Sequence, residues 1–206
     1  MNPSNFRPIS TLSALTQIFE KLVFKQLINY IEKHDILFQF QFGYRKGHST
    51  AQAVIEIADN LREAIDSNLY TCGIFIDFSK AFDTVNHEIL LKKLESCGIR
   101  GMPLKWFTSY LNNRQQYVAI GHTESPRQTT TCGIPQGSTL GPLLFLLYIK
   151  DLPNCSETLT FRIFADDTNL LASAGDLKSL EILINSESEK VKVWCDVNKL
   201  SINYQN

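Results

Sequence analysis

The stretch Phe161-Arg-Ile-Phe-Ala-Asp-Asp-Thr-Asn-Leu-Leu171 carries the reading of this chain. Apolar residues run up to Asp166 and Asp167 and resume after them, so the segment reads as strand, tight turn, strand. Two adjacent carboxylates at a hairpin tip repel each other, and no basic residue sits in the turn to neutralise them. A divalent cation held at the tip resolves the repulsion. Taken alone, the pair also fits an ordinary acidic β-turn, because Asp is a common turn residue.

A second acidic strand lies upstream in Cys72-Gly-Ile-Phe-Ile-Asp-Phe-Ser-Lys-Ala-Phe-Asp83. Asp77 ends the β-prone run Ile74, Phe75, Ile76, and Ser79 reads as the cap of a short helix. An Asp at a strand end beside an Asp-Asp hairpin is a layout for two Mg²⁺ ions. Two ions stabilise both the attacking and the leaving oxygen in phosphoryl transfer. Joined to Asp77, the acidic-turn reading of Asp166 and Asp167 loses. The three carboxylates are expected at one end of a sheet, converging on one cleft.

Outward from these strands, the 206 residues with 44% hydrophobic content suffice for a substantial core, as one large domain or two smaller units. Charge is balanced, with 20 basic and 21 acidic residues. That balance lacks the basic footprint of most nucleic-acid binders, which counts mildly against nucleic-acid binding; a catalytic centre of this kind must be acidic, and basic surface is expected on other parts of a longer protein. Cys72, Cys97, Cys132, Cys155 and Cys195 are scattered without a Cys-x-x-Cys pair, which argues against zinc and for reduced thiols in an intracellular setting. No apolar run is long enough to span a bilayer, and no secretory leader is evident.

Periodicity predicts a helix over 13–32, with Leu15, Ile18, Phe19, Leu22, Val23 and Ile31 on one face. Ser49-Thr-Ala-Gln52 is a capping-box pattern opening a second helix, with Val54, Ile57, Ala58, Leu61 and Ile65 expected to face the core. A helix over 88–97 ends at Gly98, and Pro103 starts another. Residues 114–120 and 128–132 read as a β-hairpin, 133–137 as a loop, and 140–149 as a buried helix. A long helix over 177–195 and a strand-like 200–203 complete the order. The pattern implies an α+β fold, with helices covering one face of a mainly antiparallel sheet.

Five motifs stand in one order: Asn5-Phe-Arg-Pro-Ile-Ser10, Phe42-Gly-Tyr-Arg-Lys-Gly-His-Ser-Thr50, Phe75-Ile-Asp-Phe-Ser-Lys-Ala-Phe-Asp83, Gly133-Ile-Pro-Gln-Gly-Ser138 and Phe164-Ala-Asp-Asp-Thr168. Together they closely resemble the reverse transcriptase domain of non-LTR (LINE-like) retrotransposons, over nearly the whole chain. The resemblance implies a right-hand polymerase, with residues 1–69 mainly fingers and 70–206 mainly palm with some fingers. It implies RNA-directed DNA synthesis, in which dNTPs are joined to a primer 3′-hydroxyl on an RNA template. Phe164 stands where many relatives carry Tyr.

By the same resemblance, Asp77, Asp166 and Asp167 are catalytic, and they hold two Mg²⁺ ions (Mn²⁺ as an alternative) with the main-chain carbonyl of Phe78. Phe82 lies under the sugar of the incoming nucleotide and blocks a 2′-hydroxyl; a core residue is the plainer reading of the same position. Gln136 and Gly137 support the nucleotide, and Arg7 meets its triphosphate, unless it is a solvated surface arginine. Arg45, Lys46 and Gly47 lie near the template, with His48 equally readable as a solvated loop residue. His87 takes a structural role near a helix start. Relatives carry more chain before the first motif, and a primer grip and thumb after 200–203. The chain is therefore read as incomplete at both ends, with the thumb absent and the remaining domains of the retrotransposon polyprotein as partners. The implied site of action is the nucleus. The rival reading is a catalytically inactive remnant, folded but without turnover.

Overall fold

The computed structural model describes residues 9–203. Its elements run α1 (Ala14–Lys33), α2 (Thr50–Asp66), β1 (Tyr70–Ile76), α3 (His87–Ser96), α4 (Met102–Leu111), and the short strands β2 (Gln115–Gln116), β3 (Ala119–Ile120), β4 (Thr123–Glu124) and β5 (Gln128–Thr129). They continue with α5 (Gly141–Ile149), a 3-10 turn (Leu152–Cys155), β6 (Thr160–Phe164), β7 (Asp167–Ala174) and α6 (Leu177–Val197). Helix and antiparallel sheet are mixed, as the pattern requires. The chain forms two compact units. One takes the described residues up to Gln26 together with Phe82–Tyr148, and the other takes Leu27–Ala81 with the described residues from Ile149 onward.

The second unit is built on a three-stranded antiparallel sheet in the order β1-β7-β6. Its register runs from Tyr70 opposite Ala174 to Ile76 opposite Thr168, and from Thr160 opposite Leu171 to Phe164 opposite Asp167. Side chains alternate between faces along a strand. Phe161, Ile163, Leu170 and Ala172 are all buried. Helices α2 and α6 pack against this sheet. The capping box forms as expected: Ser49 Oγ accepts from the Gln52 amide at 3.3 Å, and Gln52 Oε1 accepts from the Ser49 amide at 2.8 Å. Asp176 caps α6 through the Ser179 amide at 2.9 Å.

The expected core face of α2 is corrected. Val54, Ala58, Leu61 and Ile65 are exposed, and the buried residues of the helix are Ala53 and Ala64. Small residues let a helix backbone lie close to the sheet, and the bulky stripe falls on another face. Ser79 opens consecutive turns through Asp83 and caps no helix. The strand-like end is a single bridge, Ile202 against Phe78.

In the first unit, α5 carries Leu143 to Tyr148, each no more than 1% exposed. Helices α3 and α4 pack together. Gly98, at φ +87°, follows the end of α3, where its amide meets the Glu95 carbonyl at 2.9 Å. The expected single hairpin is two small ladders, β2 with β5 and β3 with β4, because a second turn at Gly121 closes the inner pair.

Helix α1 forms where expected, but Leu15, Ile18, Phe19 and Leu22 are each more than half exposed, while Glu20 is 1% exposed. The buried carboxylate is satisfied on both oxygens: Tyr110 Oη donates to Oε1 and the Thr139 amide to Oε2, each at 2.7 Å. Burial and this carboxylate push the Tyr110 phenol well above its ordinary range. Glu20 thereby ties α1 to α4 and to the start of α5 with charge-assisted bonds.

Glu20→Ala strands both donors in a dry site. It is expected to cost about 1–3 kcal/mol in chemical denaturation. Glu20→Gln, which keeps an acceptor, should cost less.

Candidate active site

Antiparallel register brings the three aspartates to one end of the β1-β7-β6 sheet. Ile76 faces Thr168, so Asp77 follows β1 beside Asp167, the first residue of β7. Phe164 pairs with Asp167, leaving Ala165 and Asp166 as the two-residue turn. Asp77 and Asp166 are half-buried, and Asp167 is exposed. Asp77 and Asp167 line one cavity of about 580 Å³ with Thr50, Ala53, Phe75 and Asn169. Asp166 stands on the turn, apart from that lining.

Asp77 is held by the segment 201–203. Asn203 Nδ2 donates to Asp77 Oδ2 at 3.0 Å, and the Asn203 amide donates to the Asp77 carbonyl at 2.8 Å. The Ser79 amide donates to the Ser201 carbonyl at 2.8 Å. Asp77 and Ser79 thus spend their backbone groups on the 201–203 side. Strand alternation turns the carbonyl of Phe78, between them, to the opposite edge, where β7 pairs.

The residues that the sequence reading names as ligands, three carboxylates and a main-chain carbonyl, are hard oxygens of the kind that suit a small divalent cation. Among the described residues, no three His, Cys, Asp or Glu side chains form a ready-made metal cage. The expected convergence of all three carboxylates on one cleft is therefore only partly met: Asp77 and Asp167 share a cavity, and Asp166 stands on the turn beside it, because its place in the two-residue turn lies outside the paired strands.

The hairpin turn is strained. Ala165 is buried and adopts φ +58°, a left-handed conformation that costs a non-glycine residue roughly 1–2 kcal/mol.

A second cluster forms in the other unit, from Phe82, Gln136 and Gly137. The Phe82 ring stacks on Phe145 of α5 at 4.8 Å between centroids, and Phe82 remains half-buried. The loop over 133–137 is laced to 82–87. The Ile134 amide donates to the Phe82 carbonyl, and the Gly133 amide to the Val85 carbonyl, both at 2.8 Å. His87 Nε2 lies 2.7 Å from the Gly133 carbonyl, which assigns the proton to Nε2. Gln136 Nε2 donates to both carboxylate oxygens of Asp83, at 2.9 and 3.0 Å. Gly137, at φ +98°, is exposed.

Arg45 Nη1 donates to the carbonyls of Phe38, Gln39 and Gln41, so this side chain braces its own loop. Lys46 and Gly47 are exposed. Arg7 lies outside the described residues. Sequence reading missed the supporting polar groups: Asp83 under Gln136, Asn203 under Asp77, and Gln41 behind the hairpin. Nothing in the sequence distinguishes Gln41, since Gln39 stands in the same setting in Phe38-Gln-Phe-Gln-Phe42.

Residues 2–205 match the reverse transcriptase (RNA-dependent DNA polymerase) family. The chain belongs to that family. It is 31% identical over 215 aligned residues to the "Probable RNA-directed DNA polymerase from transposon BS" of Drosophila melanogaster, covering 99% of this chain and 23% of that protein. It is 27% identical to the RNA-directed DNA polymerase from mobile element jockey of the same organism, covering 97% of this chain and 22% of that protein. These relatives place the chain among the reverse transcriptases of non-LTR elements, of whose length it spans less than a quarter. The fold is shared with apo telomerase from Candida tropicalis truncated from its C-terminal domain, at TM-score 0.64 and 13% identity, covering 93% of this chain and 40% of that one.

Gly133 has φ +86°, and a Cβ there would lie 2.7 Å from the Asp83 carbonyl oxygen. Gly133→Ala is therefore expected to cost about 1–3 kcal/mol in thermal or urea unfolding, through backbone strain and this clash together.

Proposed function

We propose that this chain is the fingers and palm portion of an RNA-directed DNA polymerase of a non-LTR retrotransposon, with residues 1–69 mainly fingers and 70–206 mainly palm with some fingers. The observation that carries the reading is the register that sets Asp77 beside the Asp166–Asp167 hairpin. In the reaction, a primer 3′-hydroxyl oxygen attacks the α-phosphorus of a dNTP, the bond to the β-phosphate bridging oxygen breaks, and pyrophosphate leaves. RNA template, DNA primer and dNTPs are the substrates, the remaining domains of the element's polyprotein are the partners, and the nucleus is the site of action. Among the described residues, no helix is long and apolar enough to cross a membrane.

Asp77, Asp166 and Asp167, with the Phe78 carbonyl, would hold two Mg²⁺ ions, or Mn²⁺ in their place. When bound, the ions supply positive charge to both the attacking and the leaving oxygen. The protein's own contribution is mostly positioning. Asn203 fixes the Asp77 carboxylate by its hydrogen bond. Gln136, held by Asp83, and Gly137 present a loop on which a nucleotide can lie, the glycine permitting close backbone approach. Phe82, braced by Phe145, offers a rigid aromatic edge to the deoxyribose. Arg7 would meet the triphosphate, and Arg45, Lys46 and Gly47 the template side.

Incorporation on a primed RNA template tests the reading. Asp77→Asn and Asp166→Ala are each expected to lower it roughly a thousandfold or more, the scale of several kcal/mol of lost charge stabilisation. Primer–template affinity should stay within about threefold, since phosphate neutralisation by basic groups dominates it. Full incorporation by Asp166→Ala would refute the assignment.

Phe82→Val should relax discrimination against rNTPs by roughly tenfold or more, because the steric block against one hydroxyl is removed. An unchanged dNTP preference would mark Phe82 as packing alone.

A further inference from the structure

We propose that Gln41 is a positioning residue for the catalytic hairpin, and that with Gly43 it clamps the left-handed turn carrying Asp166 and Asp167. The choice of reacting carboxylates rests on the polymerase reading above; the clamp geometry does not.

Gln41 is 3% exposed, and each polar atom of its side chain is spent on this turn or on the adjacent loop. Its Oε1 accepts from the Ala165 amide at 3.0 Å and from the Gly43 amide at 2.9 Å. Its Nε2 donates to the Ala165 carbonyl at 3.3 Å. Both backbone groups of the strained residue are therefore gripped by one side chain. A two-residue turn with a non-glycine residue at positive φ persists only where its surroundings over-determine it, and Gln41 supplies that determination.

The grip has a rigid base. Residues 40–42 run along β6: the Phe42 amide donates to the Ile163 carbonyl at 2.8 Å, and the Ile163 amide to the Phe40 carbonyl at 3.0 Å. Gln41 itself bridges in parallel to Ile163. The Arg162 guanidinium lies 3.8 Å over the Phe40 ring and bonds Glu56 at 3.2 Å. On the far side, Arg45 fastens the loop through three carbonyls. Gly43 leaves no space for a side chain, because a Cβ there would fall on the Ala165 backbone nitrogen and within 2.7 Å of its Cα.

The amide chemistry is specific. A carboxylate at position 41 could still accept both amides, but it could not donate to the Ala165 carbonyl, and it would add a negative charge behind an already acidic hairpin. Alanine would free both Ala165 groups. The turn would then sample other conformations and move Asp166 and Asp167 by a fraction of an ångström or more, where a misplacement of about 1 Å can cost 10²-fold in rate.

The test compares the wild-type chain with Gln41→Ala, Gln41→Glu and Gly43→Ala, with Asp166→Ala as control. By NMR hydrogen exchange, the Ala165 amide should exchange about tenfold faster in Gln41→Ala, with the Leu170 and Leu171 amides unchanged. Mn²⁺ affinity, read by electron paramagnetic resonance, should weaken roughly 10-fold. In primer extension kcat should fall roughly 10- to 100-fold, with the KM for dNTP and primer–template affinity within about twofold. Gln41→Glu should fall between wild type and Gln41→Ala in Ala165 exchange, and Gly43→Ala should match Gln41→Ala. Wild-type Ala165 exchange and Mn²⁺ affinity in Gln41→Ala would overturn the clamp, as would faster exchange spread equally to Leu170 and Leu171. Active Asp166→Ala would overturn the polymerase reading instead, with amide exchange still deciding the clamp.

Discussion

Charge repulsion among carboxylates is the constraint on which the active end of this protein depends. Asp77, Asp166 and Asp167 meet at one end of a three-stranded sheet only because β1, β6 and β7 are antiparallel neighbours in one register. A slip of one residue would turn every side chain of a strand to the other face. The register is secured away from the carboxylates, by the buried residues Phe161, Ile163, Leu170 and Ala172, whose hydrophobic burial does not depend on charge. The sheet thus sets Asp77 and Asp167 on one cavity with Asp166 on the adjoining turn, and hydrophobic burial rather than charge maintains that arrangement.

Within each unit, polar side chains act as fasteners. Asn203 holds Asp77, Gln41 holds Ala165, Asp83 holds Gln136, and Glu20 joins Tyr110 to the amide of Thr139. Gln41 and Glu20 are buried, so leaving their partners unpaired is costly; Asn203 and Asp83 are half-buried. Such bonds are directional in a way that apolar packing is not. They can hold a carboxylate or a turn to within the fraction of an ångström that phosphoryl transfer requires.

The two helices with apolar stripes show the limit of pattern. Periodicity located α1 and α2 within a residue or two, since a 3.6-residue repeat needs no partner to be seen. It misjudged much of their buried faces. On α1 the expected Ile31 is buried, but so are Glu20 and Leu27, while Leu15, Ile18, Phe19 and Leu22 are exposed; on α2 the buried positions are Ala53 and Ala64. Hydrophobicity ranks how a residue would like to be placed; the neighbour that arrives decides what is buried. An alanine that permits close approach, or a glutamate that finds two donors, overrules a stripe of leucine and isoleucine.

From the sequence by itself came the strand–turn–strand around Asp166, the strand ending at Asp77, the capping box at Ser49, the buried helix at Leu143 to Tyr148, and the family to which the chain belongs. These are local periodicities and short motifs, written in adjacent residues. Tertiary structure alone decided that Gln41 grips Ala165 from 124 residues away and that Asn203 reaches Asp77. The physical reason is range. Backbone propensity acts over a turn or a strand, whereas a buried hydrogen bond needs two groups brought together by folding, and nothing in either neighbourhood announces its partner.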